Sequence, residues 1–287
     1  MYNIIDCKVL KEKRVNKLKE QIKDIALRSS LAVIQVAGDA ASDTYTKNKI
    51  KLANEVGLQA KHYVLENNIQ LEELKTEIKH ICSNFSAVIL QLPLPEHLQQ
   101  HEQELLDLIP PGKDVDCLST HSIGLLHSGR PLHKPCTAQA AIDVLDEYNY
   151  NLEGKKTLIV GRQNILGYPL FRMITDRNAT CTLAHSRTKD LDKMLSSSQY
   201  DVVVAAIGKA KFLNHINADF IIDVGINRNE EGKLCGDVNL DTCKFQYATT
   251  VGGGIGGIGQ LTVLNLIENS IRASKTTGTI LYGAHEE

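Results

Sequence analysis

Short apolar runs that stop at glycine or proline alternate along this chain with longer, charge-rich stretches, and that rhythm restricts its fold more than any other feature. LAVIQVAG (31–38), KHYVL (61–65) and AVILQLPLP (87–95) read as strands. The last ends at prolines, which cannot donate to a ladder. TYTKNKIKLANEVG (44–57) and QLEELKTEIKHICSNF (70–85) read as helices between them, after a Lys/Glu-rich helix over 8–27. Ser42–Asp43 is the expected cap of the second helix, and Gly57 its stop. A second alternation begins at KKTLIVG (155–161). Strands are expected at 179–186, 201–208 and 220–226, and helices at 166–176, 189–198 and 260–275. Repeated strand–helix alternation is the signature of a parallel α/β sheet.

The chain has 287 residues, enough for two domains. Between the two alternations, 109–136 holds four of the seven prolines and little periodicity. Long irregular segments inside a domain tend to be functional. The helix 140–148 marks the crossing, giving domains 1–139 and 140–261. With 32 basic and 34 acidic residues the net charge is −2, so a strongly basic nucleic-acid binder is not expected. The seven cysteines show no CxxC spacing, which argues against a disulfide framework or a zinc site. The ten histidines show no HExxH motif, and no metal is expected. Lone thiols, a charged N-terminal stretch and the lack of a long apolar run point to a cytoplasmic protein without a membrane span.

Two glycine clusters compete for a dinucleotide pyrophosphate. Gly254–Gly259 fits GxGxxG literally, but only 28 residues follow it and they hold no convincing strand pair. A dinucleotide fold needs a further βαβ unit and a ribose acceptor, so this segment reads as a decoy. TLIVGRQNILGYP (157–169) has weaker spacing and better context. Gly161 ends a strand and Gly167 opens a helix, where backbone N–H groups and the helix dipole favour phosphate. The next strand is followed by His185-Ser186-Arg187-Thr188, where an NAD enzyme usually carries an acid. A hydroxyl and a guanidinium suit a 2′-phosphate instead, with Arg162 as a second positive charge. The competing reading of that stretch is a solvated turn.

TYTKNKIK, AVILQLPLP, TLIVGRQNILGYP and His185-Ser186-Arg187-Thr188 together resemble the bifunctional methylenetetrahydrofolate dehydrogenase/cyclohydrolase family, and the likeness covers nearly the whole chain. Tyr45-Thr46-Lys47-Asn48-Lys49 resembles its YxxxK helix, and Val88–Pro95 its VQLPLP strand end. Lys113-Asp114-Val115-Asp116 resembles KDVDG, and Pro135-Cys136-Thr137 opens PCTPxG. Gly161-Arg162 through Gly167-Tyr168-Pro169 resembles GRSxIVGxP. HSRT, DVGIN (223–227) and GDV (236–238) follow in the family's order. Departures are Cys117 for Gly, Ala138 and Ala140 for Pro and Gly, Gln163 for Ser, Ala210 for Pro, and a longer 251–262 segment without its prolines.

The resemblance implies an N-terminal α/β folate-binding catalytic domain and a Rossmann-like NADP-binding domain, with the C-terminal helix (262–287) returning to the first. It implies oxidation of 5,10-methylene-tetrahydrofolate to the methenyl form with NADP. Hydrolysis to 10-formyl-tetrahydrofolate follows in one-carbon metabolism, with no metal, in a homodimer formed through the second domain. Lys49 is then the catalytic lysine and Gln91 its hydrogen-bond partner. A lysine at its ordinary pKa of about 10.4 is a poor base at neutral pH, and desolvation or dipoles can correct that. Tyr45 shares the helical face of Lys49 and suits pterin stacking, whereas Lys47 and Lys51 leave that face. Asp116 is the expected pterin reader, since a carboxylate accepts ring N–H and exocyclic amine together. Leu92, Gly257 and Gln260 complete the implied folate contacts. Gly161, Arg162, Gln163, Ser186, Arg187 and Ile226 are the implied cofactor contacts. Cys117 and Cys136 read as buried, inert thiols. The competing functions are a dehydrogenase with weak hydrolysis and a folate- or dinucleotide-binding paralogue without turnover.

Overall fold

The elements follow the expected rhythm with short additions. The computed structural model describes residues 2–22 and 29–282. In chain order it holds β1 (Asn3–Ile5), α1 (Cys7–Ile22), β2 (Ser30–Val36), α2 (Ala40–Val56), β3 (Gln59–Leu65), α3 (Leu71–Asn84) and β4 (Ala87–Leu90). Next come α4 (Glu96–Gln99), α5 (Glu102–Leu106), α6 (Thr120–His127), α7 (Cys136–Glu147), β5 (Lys156–Val160), α8 (Gly167–Thr175), β6 (Thr180–Ala184) and α9 (Leu191–Ser196). The chain continues through β7 (Val202–Ala205), β8 (Phe220–Asp223), β9 (Asn227–Arg228), β10 (Leu234–Cys235), β11 (Tyr247–Thr249) and α10 (Gly259–Tyr282). The helix expected over 8–27 is described as Cys7–Ile22; its last residues fall outside the described ones, as do the last of 262–287.

The chain forms two units. One is Lys13–Cys136 with Val263–Glu287, and the other Met1–Glu12 with Thr137–Thr262. The N-terminal residues therefore group with the second unit rather than the first, contrary to the 1–139 expectation. The reason is β1, which pairs in parallel with β11, Ile4 opposite Ala248.

In the first unit β3, β2 and β4 form a parallel sheet in that order, with Ile34 opposite Leu90. β2 comes first in the chain and lies between the other two, so the connections diverge at its carboxyl end. Open α/β sheets bind ligands at such a point. Leu74, Ile78 and Ile81 of α3 recur at helical spacing and are buried with Ile34, Val88 and Leu90. α2 is capped one turn earlier than expected. Asp39, not Ser42–Asp43, is the cap, and its carboxylate accepts the Ser42 N–H at 2.8 Å. Gly57 ends the helix in the left-handed region at φ 93°. The 109–136 segment, expected to be irregular, contains α6. Ser119 caps it by accepting the Ser122 N–H at 3.2 Å. Eight residues are too few to display a helical period.

In the second unit every pairing of the six-stranded sheet is parallel, in the order β1-β11-β8-β7-β5-β6. Taken from β5 onward, the order is that of doubly wound nucleotide-binding sheets, with its switch point between β5 and β7. Leu158, Val160, Val203, Ala205 and Ile221 form its core.

Candidate active site

Lys49 and Gln91 meet at the switch point of the first unit. Lys49, on α2, is 4% exposed, and Gln91, just after β4, is 8% exposed. Lys49 Nζ donates to Gln91 Oε1 at 2.9 Å, and Gln91 Nε2 donates to Leu92 O at 2.6 Å. The amide is thus fixed in orientation, with its oxygen on the amine. One helical turn earlier the Tyr45 ring lies 4.7 Å from Lys49 Nζ. Lys47 and Lys51 are exposed. Burying an amine is costly without a partner, so this lysine is built into the site rather than lying on a solvated face. Ser42 Oγ donates to Leu92 O at 3.3 Å and ties α2 to the same strand end.

Asp114 and Asp116 separate cleanly. Asp114 is buried and accepts the N–H groups of Leu118 (3.3 Å) and Ser119 (2.9 Å), so it shapes the loop. Asp116 is half-buried, and its charge faces Cys136. Burial first, then Asp116, push the Cys136 thiol well above its ordinary value, and burial with Asp114 and Asp116 does the same to Cys117. Neither is a nucleophile at neutral pH. Cys117 adopts φ 61°, which accounts for the glycine expected there. One contributor escaped the sequence reading. Asn269 of α10 donates to Val115 O (2.9 Å) and Lys134 O (2.8 Å), pinning the loop that carries Asp116. Its only sequence signal is a polar residue on a buried helical face.

In the second unit β5 and β7 end close together. A Cβ on Gly161, which has φ 131°, would lie 2.2 Å from Ala206 O, and one on Gly167 would lie 2.2 Å from Gly161 O. Arg162 and Gln163 are exposed beyond that turn. After β6, Thr188 closes the next turn. Its Oγ1 accepts the His185 N–H at 2.9 Å, and the Arg187 N–H meets His185 Nδ1 at 3.1 Å. Ser186 and Arg187 are left exposed, with no acid among the four residues. Ile226, after β8, is 58% exposed. A narrow glycine turn, a cationic strand end and a bare aliphatic side chain fit a phosphorylated dinucleotide with a flat ring.

A tight turn leads into the literal GxGxxG, with the Gly252 N–H meeting Ile255 O at 3.3 Å. No strand follows it among the described residues. It is tied to the N-terminus instead: the Gly256 N–H donates to Asp6 Oδ1 at 2.9 Å, and Lys11 Nζ to Gln260 Oε1 at 3.0 Å. Gly257 and Gln260 therefore sit in this unit and Lys49, Gln91, Tyr45, Leu92 and Asp116 in the other. Burial also raises the Asp223 carboxyl to about 7, against the pull of its backbone N–H donors.

A buried lysine–amide pair beside one parallel sheet and a narrow glycine turn at the end of the other suit a nicotinamide-dependent enzyme. The family models agree. That of the tetrahydrofolate dehydrogenase/cyclohydrolase catalytic domain matches residues 5–116, and that of its NAD(P)-binding domain 135–278. The bifunctional protein FolD of Agathobacter rectalis is 37% identical over 285 residues, spanning 96% of this chain and 100% of that one. The crystal structure of the bifunctional FolD methylenetetrahydrofolate dehydrogenase/cyclohydrolase of Campylobacter jejuni superposes with a TM-score of 0.88 at 32% identity, covering 96% and 100%. That of Trypanosoma brucei, complexed with NADP cofactor and inhibitor, gives 0.87 at 28%, covering 96% and 98%. The chain belongs to the tetrahydrofolate dehydrogenase/cyclohydrolase family.

Proposed function

We infer that this chain oxidises 5,10-methylene-tetrahydrofolate to 5,10-methenyl-tetrahydrofolate with NADP and hydrolyses the product to 10-formyl-tetrahydrofolate. The observation that carries the reading is the buried Lys49–Gln91 pair, 2.9 Å apart under Tyr45, in a chain that both family models match. Bound NADP supplies the hydride acceptor. The chain's own residues do the rest. Tyr45 stacks on the pterin, and Asp116 accepts hydrogen bonds from its N–H groups. Oxidation leaves the bridging carbon cationic, so no oxyanion clamp is required. The water that adds there must lose a proton, and Lys49 takes it. Gln91 Oε1 accepts a hydrogen bond from the amine and fixes the direction in which it faces the water. The ring nitrogen that departs must gain a proton, which Lys49 returns.

Leu92, next to Gln91 in the chain, is a further folate contact. Gly161, Arg162 and Gln163 take the pyrophosphate side of NADP, Ser186 and Arg187 its 2′-phosphate, and Ile226 its ring. Hydrogen bonding from a guanidinium favours NADP over NAD. We propose the folate domain as 13–136 with the C-terminal helix and the cofactor domain as 1–12 with 137–262, following the two units. The protein works as a homodimer in the cytoplasm, where its seven free cysteines stay reduced. No helix among the described residues is long and apolar enough to cross a membrane.

The reading without turnover rests on the altered 251–262 segment alone, and the intact lysine–glutamine pair disfavours it. Purified protein given methylene-tetrahydrofolate and NADP tests the choice. The methenyl absorbance rises and then decays if both steps run. No rise refutes oxidation, and a rise without catalysed decay refutes hydrolysis.

A further inference from the structure

One buried carboxylate gathers the loops at the carboxyl ends of two central strands. Asp237 is 0% exposed. Its Oδ2 accepts the N–H groups of Ile207 (2.6 Å) and Gly208 (3.1 Å), and its Oδ1 accepts the Lys209 N–H (2.9 Å) and Asn227 Nδ2 (2.8 Å). The first three follow β7, and Asn227 adjoins Ile226 after β8. The main chain adds to the clasp, with the Leu213 N–H on Asp237 O and the Lys211 N–H on Gly236 O, both at 3.0 Å. Asp237 is itself aimed by a second carboxylate. Asp223, 2% exposed at the end of β8, accepts the N–H groups of Gly225 (3.0 Å), Asp237 (2.9 Å) and Val238 (2.9 Å). Both sites are closed to larger neighbours: a Cβ on Gly225 would lie 2.3 Å from Asp237 Oδ1, and one on Gly236 1.9 Å from Asp223 Oδ2.

Four donors on one carboxylate are more than a cap needs. The loops they fix stand at the carboxyl ends of β7 and β8, where a doubly wound sheet receives its ligand. We propose that Asp237 is a positioning residue for the dinucleotide: it holds 207–209 and Ile226–Asn227 in the one arrangement that admits NADP, and Asp223 orients it. This rests on the reading above that NADP occupies the carboxyl ends of this sheet. Asp237→Asn keeps the shape but turns an amide NH2 toward N–H donors, so two of the four donors lose their acceptor.

The test separates the two reactions, because hydrolysis of methenyl-tetrahydrofolate is assayed without NADP. In Asp237→Asn the KM for NADP should rise about tenfold, the equivalent of roughly 1.4 kcal/mol. The hydrolysis rate and its KM for methenyl-tetrahydrofolate should stay at the wild-type values. An unchanged KM for NADP overturns the proposal, and so does an equal loss of both activities, which is the signature of a merely structural carboxylate. If Asp237→Asn does not fold, Asn227→Ala removes one donor and leaves the three amides. Its KM for NADP should still rise, by about threefold on the same scale, and no rise overturns the proposal. A wild-type chain that binds no NADP refutes the cofactor reading beneath it. A wild-type chain that binds NADP beside equally competent variants refutes only the role of Asp237.

Discussion

Replacing Gly161 by alanine tests whether the meeting of β5 and β7 is what admits the cofactor. The added Cβ would lie 2.2 Å from Ala206 O and 3.0 Å from its carbonyl carbon. These are backbone atoms and cannot rotate aside, so the strand ends must part by roughly 1 Å to restore ordinary contact. Overpacking of that kind costs about 1–3 kcal/mol. The φ of 131° is a conformation alanine avoids, at a further cost of about 1–3 kcal/mol. The destabilisation should therefore total about 2–6 kcal/mol, read from the denaturant midpoint. Gly154→Ala is the control: φ is 72° with nothing within 4 Å of the new Cβ, so only the left-handed cost of about 1–2 kcal/mol applies. In the fraction that folds, Gly161→Ala should raise the KM for NADP at least tenfold, roughly 1.4 kcal/mol, while Gly154→Ala leaves it unchanged. Equal midpoints and equal KM values in the two variants would refute the packing argument.

Arg187→Ala should erode the preference for NADP over NAD by about tenfold, the worth of one charge-assisted hydrogen bond, measured as the ratio of kcat/KM with the two cofactors at fixed salt. A wild-type preference for NAD would show that these residues read no 2′-phosphate. Asp116→Ala should weaken folate binding at least tenfold, roughly 1.4 kcal/mol, and spare NADP; isothermal titration of each ligand decides, and unchanged folate affinity would mean that the wrong carboxylate was chosen. Acid should destabilise the chain through His133. Burial, reinforced by the Arg272 charge, holds its imidazole below the usual 6.5, against a hydrogen bond to Gly112 O. The unfolded chain then binds the proton first, so stability present above about 6.5 is lost as pH falls through that value toward the lower folded one. His133→Gln should flatten that part of the midpoint–pH curve, and an identical slope would remove His133 as its source.

Much of this molecule is legible in the sequence where a run is long enough to carry a period. The runs around β2, β5, β7 and β8 are largely apolar because their strands are buried along nearly their whole length. β1 and β11 are three residues each and meet only through tertiary pairing, so neither announces itself. Ser42 looks like a cap, yet Asp39, after Gly38, wins because its carboxylate reaches the Ser42 N–H. Helical spacing joins Tyr45 to Lys49, but nothing local joins Lys49 to Gln91. That contact comes from two elements of a crossover, and only the resemblance to VQLPLP suggested it. The Asp223–Asp237 relay is invisible for a similar reason. Neither aspartate carries a local signal of its partners, and only the folded sheet brings the backbone donors to them.

The central claim is that Lys49 moves the proton of the water step, and transient absorbance of the methenyl intermediate tests it directly. Wild type, Lys49→Ala and Lys47→Ala are each mixed with methylene-tetrahydrofolate and NADP and followed through formation and decay. The wild type and Lys47→Ala should form the methenyl species and consume it at similar rates, since Lys47 is exposed on another face of α2. Lys49→Ala should decay only at the uncatalysed rate. Catalysed decay in Lys49→Ala, or an equal loss in folded Lys47→Ala, would contradict the account.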